Sequence, residues 1–223
     1  MQPFIVIAAY NEETVLRSVV EPLFSLTPNV VVVDDGSTDQ TREVLRETKA
    51  ILISHLVNRG QGAALETGIQ YAVQEGAEIV VTFDADGQHD PEQIPALIQP
   101  ILNGKADVVF GSRFLHPDSS VPSARRLLLK AATRLTRWRT GLTVTDTHDG
   151  LRAFNRRVAE KLRFELERMG HASEIFEIIA REKFRYQEVP TRVRYTPYSL
   201  NKGQSPFEAL NILATLLERS WFK

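Results

Sequence analysis

Five short apolar runs rich in β-branched residues recur through the first half of the chain, at 4–9, 30–33, 51–53, 79–83 and 107–111. Runs this brief and this uniformly apolar read as strands buried on both faces. Between them lie segments with helical spacing. The first covers 14–24 through Val15, Val19, Leu23 and Phe24, with Asn11 or Thr14 available as a cap. A second starts after Ser37 or Thr38 and runs through Leu45, and a third covers 63–75. A fourth opens at Pro91 and carries Ile94, Leu97, Ile98 and Ile101 on one face. Strands alternating with helices predict an α/β fold, with a mostly parallel central sheet and helices on both faces.

Such sheets bind ligands beyond the carboxyl ends of their strands. Each strand here ends in polar residues: Tyr10 to Glu12, Asp34 to Gly36, Asn58 to Gly62, and Asp84 to Gln88. The pattern therefore predicts one polar rim. Within it Asp84 and Asp86 are two residues apart, so in extended backbone they point the same way, and Gln88 adds an amide oxygen. Hard oxygen donors suit Mg²⁺ or Mn²⁺ rather than zinc. Taken alone, the pair also reads as an acidic turn after a strand.

The 223 residues, 43% of them hydrophobic, suffice for a full core. Twenty-seven basic against 28 acidic side chains leave a formal charge of −1, which provides no field for nucleic acid. With no cysteine, disulfides, thiolate zinc sites and thiol nucleophiles are excluded, in keeping with a reducing compartment. No signal peptide or membrane-length apolar run is present. The expectation is a soluble, cytoplasmic protein, or one held at the inner face of a membrane.

The second half reads differently. Residues 122–141 carry Arg125, Arg126, Lys130, Arg134, Arg137 and Arg139 with no acidic residue, while Leu127, Leu128, Ala131, Leu135 and Trp138 supply apolar surface. This basic amphipathic helix is either an ordinary solvated helix or a surface for anionic headgroups. Residues 143–154 return to strand-like spacing around Asp146 and Asp149, and a helix follows through Leu162. Another helix covers 174–181. Residues 187–190 and 192–195 look like edge strands, 198–205 like a polar loop, and 206–221 like a closing amphipathic helix.

In order, Ala9-Tyr10-Asn11-Glu12-Glu13, Val33-Asp34-Asp35-Gly36-Ser37-Thr38-Asp39, Asn58-Arg59-Gly60-Gln61-Gly62, Phe83-Asp84-Ala85-Asp86-Gly87-Gln88-His89, Gly111-Ser112-Arg113 and Asp149-Gly150-Leu151-Arg152-Ala153-Phe154 closely resemble glycosyltransferase family 2. Glu188-Val189-Pro190 and Lys202-Gly203 extend the likeness, which is to the dolichyl- and polyprenyl-phosphate sugar transferases within it. The resemblance implies a GT-A fold in one domain, 1–223. Residues 1–112 would form its nucleotide-sugar-binding half, and 113–223 its acceptor-binding half with the terminal helix. It implies an inverting transferase using a UDP-, GDP- or dTDP-linked sugar and Mg²⁺ or Mn²⁺.

The same likeness assigns roles. Ala9, Tyr10, Glu12, Asp34, Asp35, Gly36, Arg59, Gly62, Asp84 and Ala85 would meet the nucleotide, with carboxylates accepting base N–H and sugar hydroxyls. Asp86 and Gln88 would grip the metal, with Asp84 binding it directly or through water, and His89 would be a neighbour. For a hydroxyl acceptor, Asp149 or Asp146 would be the general base. For a lipid monophosphate, whose second pKa is about 6, no strong base is needed. Arg113, Arg125, Arg126, Arg152 and Lys202 would then hold the phosphate. Asp149 through Arg152 also reads as a buried structural ion pair.

The membrane helices that follow the catalytic domain in many such transferases are missing, and residues 195–199 depart from the mannosyltransferase pattern, which leaves the sugar open. The implied partners are a nucleotide sugar and a lipid phosphate or glycan acceptor, with peripheral membrane contact as an option and no nucleic acid. The alternatives are a sugar nucleotidyltransferase, whose glycine-rich basic N-terminal signature is absent, and a non-catalytic nucleotide-sugar-binding module.

Overall fold

The computed structural model describes residues 2–117, 121, 123–164, 171–194 and 198. Seven strands form one sheet: β1 (Phe4–Ala9), β2 (Val30–Asp34), β3 (Ile51–Ser54), β4 (Ile79–Thr82), β5 (Val108–Ser112), β6 (Arg152–Asn155) and β7 (Tyr186–Pro190). Their order is β3-β2-β1-β4-β6-β5-β7. All the pairings are parallel except those of β6, which runs antiparallel between β4 and β5. Six strand ends and the start of β6 therefore meet on one rim. Every residue of β2, β4 and β5 is buried, as their uniform apolar character requires.

The helices are α1 (Leu16–Val20), α2 (Thr41–Arg46), α3 (Gln61–Gln74), α4 (Ile94–Leu102), α5 (Ser123–Thr140), α6 (Arg156–Ala159) and α7 (His171–Arg181). Two cores result from the alternation of side chains along β1. Ile5, Ile7 and Ala9 pack with Leu16, Val19, Ile94 and Leu97 of α1 and α4. Val6 faces the opposite layer with Ala64, Ile69, Val158 and Phe176 of α3, α6 and α7. The covered, mostly parallel sheet is as expected.

Several local expectations change. Within 143–154 only Arg152–Asn155 is strand. The Asp146 and Asp149 carboxylates accept the backbone N–H groups of His148 and Leu151, both at 3.0 Å, so local bonds displace a ladder there. Arg192 to Arg194 are not strand, because the chain leaves the sheet after Pro190 and lies against the loop that follows β4. The segment at 14–24 divides into α1 and a 3₁₀ turn, Glu21–Ser25, with proline in its first turn. The helix after β6 stops at Ala159 rather than Leu162. Neither Asn11 nor Thr14 caps α1, and neither Ser37 nor Thr38 caps α2. Asn11 and Ser37 instead tie the ends of β1 and β2: Asn11 N–H donates to Ser37 Oγ at 3.0 Å and Thr38 N–H to Asn11 Oδ1 at 2.9 Å.

On α5 the buried side is Leu129, Ala132, Thr133 and Thr136, while Leu127 and Trp138 are each 74% exposed. Among the described residues no helix is long and apolar enough to cross a membrane. Lys202, the loop beyond Tyr198, the helix expected at 206–221 and the Arg125 side chain lie outside the described part of the chain.

Candidate active site

The end of β1 leaves Tyr10 partly exposed, whereas Ala9 and Ala85 are buried in the core. Glu12 is buried; its N–H donates to Thr41 Oγ1 at 2.7 Å and its Oε2 accepts from Tyr198 Oη at 2.7 Å. Asp34 is engaged from two sides, accepting Ser37 N–H at 3.1 Å on Oδ1 and Arg42 Nη2 at 2.8 Å on Oδ2. Asp35 accepts His55 Nδ1 at 2.7 Å, Arg59 N–H at 3.0 Å and Gly60 N–H at 2.7 Å. Asp34 thus shapes the connection from β2 to α2, and Asp35 the loop from β3 to α3. Gly36 lets that loop pass: its φ is +71°, and a Cβ would stand 2.7 Å from the Val57 carbonyl carbon.

The loop delivers α3 to the rim with an open N-terminus. Gly60, at φ 92°, makes no side-chain cap, the first turn contains no acidic residue, and Gly62 is buried. Uncapped N–H groups and the helix dipole there favour an anion such as a diphosphate. The Arg59 side chain is exposed beside it, without a carboxylate partner among the described residues. Gln61 Nε2 reaches Asp84 Oδ1 at 3.5 Å.

Asp84 lies just beyond β4, over the backbone of Gly150, where a Cβ would stand 2.0 Å from Asp84 Oδ2. That oxygen is 3.1 Å from His89 Nε2, which is itself 3.7 Å from Asp149 Oδ1. Burial opposes ionisation of Asp84, but the hydrogen bond and charge of His89, with Arg152 and Arg113, outweigh it and lower its pKa. Burial likewise opposes charge on His89, yet Asp149, Asp84 and Asp86 raise its pKa to about 9. Asp86 is displaced upward, first by burial and then by the Asp84 charge. Gln88 folds back on it, with both its N–H and its side-chain amide donating to the Asp86 carboxylate.

Neighbouring carboxylates that oppose each other's ionisation, with an amide oxygen nearby, fit a hard divalent cation. Among the described residues no group of three or more His, Asp or Glu side chains encloses one. Mg²⁺ commonly takes only one or two carboxylates and fills its other positions with phosphate oxygens and water.

The reversed β6 brings the second motif to the same place, and there its polar residues pair with one another. Asp146 accepts Arg113 Nε at 2.6 Å, and Arg113 Nη2 donates to His148 O at 2.6 Å, with both side chains buried. Arg113, expected at an acceptor phosphate, is thus held in an internal ion pair. Asp149 is 2% exposed and accepts Leu151 N–H at 3.0 Å and Thr191 Oγ1 at 2.6 Å. Arg152 is buried and donates to the carbonyls of Asp149 at 2.9 Å and Thr147 at 3.2 Å. Its pKa is lowered by burial, against the pull of Asp84, Asp149 and Asp146. In this arrangement both carboxylates are buried and each of their oxygens already accepts a hydrogen bond, and Arg152 braces the turn. Arg126 lies on the exposed side of α5.

His55, Thr191 and Arg194 were not among the residues singled out from sequence. His55 follows β3 and Thr191 follows β7, so both occupy strand-end positions that could have marked them. Arg194 fastens the loop after β4, donating N–H to Gln88 O at 2.8 Å and Nη2 to Asp90 Oδ2 at 2.7 Å.

The glycosyl transferase family 2 model matches residues 4–163. The chain belongs to that family. This family 2 protein is 35% identical to UDP-N-acetylglucosamine–dolichyl-phosphate N-acetylglucosaminyltransferase of Methanococcus voltae, over 96% of its own length and 94% of the relative's. It is 33% identical to polyprenol monophosphomannose synthase of Mycolicibacterium smegmatis, over 71% and 63%. Among solved structures, glucosyl-3-phosphoglycerate synthase from Mycobacterium tuberculosis, in complex with Mn²⁺, UDP and phosphoglyceric acid, superposes with TM-score 0.73 at 24% identity, covering 98% of this chain and 78% of that one. The fold is of the GT-A type, and the protein is a glycosyltransferase, a hexosyl-transferring enzyme.

Proposed function

We propose that this transferase moves a sugar from a nucleoside-diphosphate donor, UDP-linked foremost, to a polyprenyl or dolichyl phosphate, inverting the anomeric carbon. The observation that carries the acceptor assignment is the engagement of Asp146 and Asp149, both buried and committed to Arg113, Thr191 and backbone donors. A sugar hydroxyl needs a base to take its proton, whereas a phosphate monoester with a second pKa of about 6 is already ionised at neutral pH. The acceptor oxygen attacks the anomeric carbon, the bond from that carbon to the donor phosphate breaks, and the electron pair leaves with the nucleoside diphosphate. The relatives named for dolichyl and polyprenol phosphates support this reading.

Asp86 and Gln88 would hold Mg²⁺ or Mn²⁺, with Asp84 beside them, and the ion, when bound, neutralises charge on the departing diphosphate. Arg59 and the open N-terminus of α3 orient the same group, and Tyr10 and Glu12 flank the nucleoside. Asp34 and Asp35 act chiefly by shaping its floor. Leu127, Ala131 and Trp138 share an exposed line along α5, with the exposed cations Arg126, Lys130, Arg134 and Arg137 beside and between them. An apolar line edged with cations suits an anionic bilayer surface, where the acceptor resides.

The test is a transfer assay with UDP-, GDP- and dTDP-sugars, offered a polyprenyl phosphate or a glycan, with Mn²⁺ or with EDTA. The expected product is a sugar phospholipid, formed only with metal. Transfer to the hydroxyl acceptor alone, or release of pyrophosphate from a nucleoside triphosphate and a sugar phosphate, would refute the proposal.

A further inference from the structure

We infer that His89 is a positioning residue that locks Asp84 in place on the cation side of the centre. The inference rests on the reading that Asp84 belongs to the cation and diphosphate site. His89 Nε2 stands 3.1 Å from Asp84 Oδ2, at the exit of β4, and 3.7 Å from Asp149 Oδ1, in the turn entering β6. The two carboxylates come from opposite halves of the chain and meet because β4 and β6 pair antiparallel, with Thr82 opposite Arg152. Thr82 Oγ1 donates to Gly150 O at 2.8 Å and fastens the turn directly beneath Asp84.

The two carboxylates differ in how firmly they are held. Asp149 has Thr191 and Leu151 N–H as anchors of its own. Among the described residues Asp84 has the long contact from Gln61, at 3.5 Å, besides His89, and 29% of its side chain is open to solvent. The ring of His89 is itself well placed for the task. Its side chain is 2% exposed and it meets Phe83 edge-on, with centroids 5.8 Å apart. Nδ1 is buried without a hydrogen-bond partner among the described residues, so the polar contacts of the ring to them are made through Nε2. Removing the Nε2 donor leaves Asp149 where it is and frees Asp84 to swing toward water, away from Asp86. A neighbour that only filled space would not depend on which ring nitrogen is present.

His89→Gln places an amide nitrogen near the position of Nε2, while His89→Asn places one near Nδ1 and leaves Asp84 without a donor. The first readout is binding of Mn²⁺ in the presence of UDP, GDP or dTDP, whichever the wild-type protein binds, followed by calorimetry. Affinity is expected to stay within a few-fold of wild type in H89Q and to fall on the order of tenfold in H89N. Turnover should separate the same two variants by about 100-fold, the scale set by a 1 Å misplacement, with little change in acceptor KM. In the wild-type protein the His89 imidazole NMR signals should also move when Mg²⁺ and the nucleotide bind, a readout that needs no variant to fold.

Equal losses in H89Q and H89N, wild-type metal affinity in H89N, or unmoved His89 signals on ligand binding would each overturn the inference. Metal and nucleotide binding do not involve the acceptor. Failure of the lipid-phosphate reading would therefore leave these results intact, and failure of the His89 role would leave lipid-phosphate transfer intact.

Discussion

Gly150→Ala isolates the placement of Asp84 from its chemistry. The added Cβ would lie 2.0 Å from Asp84 Oδ2, 2.2 Å from Oδ1 and 2.3 Å from Cγ. Restoring an ordinary contact of roughly 3.5 Å makes the carboxylate retreat by about 1.5 Å. Gly150 is not among the glycines with positive φ, so alanine itself fits the backbone and the whole perturbation falls on Asp84. That movement breaks the 3.1 Å contact with His89. A hydrogen bond to a charged group contributes about 1.5–3 kcal/mol, and an off-rotamer side chain costs about 1 kcal/mol. For a chain of this size the sum is a fall in melting temperature on the order of 10 °C.

The effect on turnover is expected to be much larger, about 100-fold or more, because a reacting group displaced by 1 Å or so loses on that scale. Radiolabelled sugar transfer, with circular dichroism melts of the same samples, separates the two effects. Near-normal turnover in a folded Gly150→Ala protein would refute the claim that the turn before β6 holds Asp84 in its working position.

Asp86→Asn keeps the shape but removes a hard anionic donor; metal-dependent transfer should fall by at least about 100-fold, and calorimetry should show weakened Mn²⁺ binding in the presence of nucleotide. Asp149→Asn should lose less than about 10-fold and keep an acid limb near pH 6 set by the acceptor phosphate, whereas a general base would lose about 10²–10⁴-fold. His89 has a folded-state pKa of about 9 against an ordinary 6.5. Its stabilising contribution, at most about 3 kcal/mol, is therefore full below about pH 6.5 and lost as pH rises through about 9. Melts in EDTA should show this decline and H89Q should lack it; a wild-type melting temperature that is flat across that window would count against the charged imidazole. Trp138→Glu should weaken sedimentation with anionic vesicles and leave metal–nucleotide binding unchanged; undiminished sedimentation would rule out this face of α5 as the bilayer contact.

Much of this architecture could be read along the chain. Five apolar runs announced five strands, and their polar ends marked the rim, since uniform burial leaves a strand only its ends for polar residues. Asp84, Asp86 and Gln88 stood out because i and i+2 share a side in extended backbone; the chain instead turns at Ala85 and Asp86, with Gly87 at φ 73°, so that turn and not a strand sets where they point. The second half was harder to read. Residues 143–151 have strand-like alternation, but side-chain bonds to their own backbone N–H groups compete with the ladder, and such bonds leave little trace in periodicity. Arg194 was obscured in a similar way, in a stretch that looked like a second edge strand and instead fastens the loop carrying Gln88 and Asp90, and Thr191 fell between the two expected strands.

The sequence by itself determined that the chain forms a covered, mostly parallel sheet with a polar rim holding a carboxylate pair, because burial and side-chain period are local properties. Only the tertiary structure decided that β6 runs backward between β4 and β5, since strand pairing depends on residues about 70 positions apart. That single reversal carries Asp149 and Gly150 against Asp84 and His89. Whether a carboxylate serves as a base, a metal ligand or a brace depends on which donors reach it, and those donors come from elements distant in the chain.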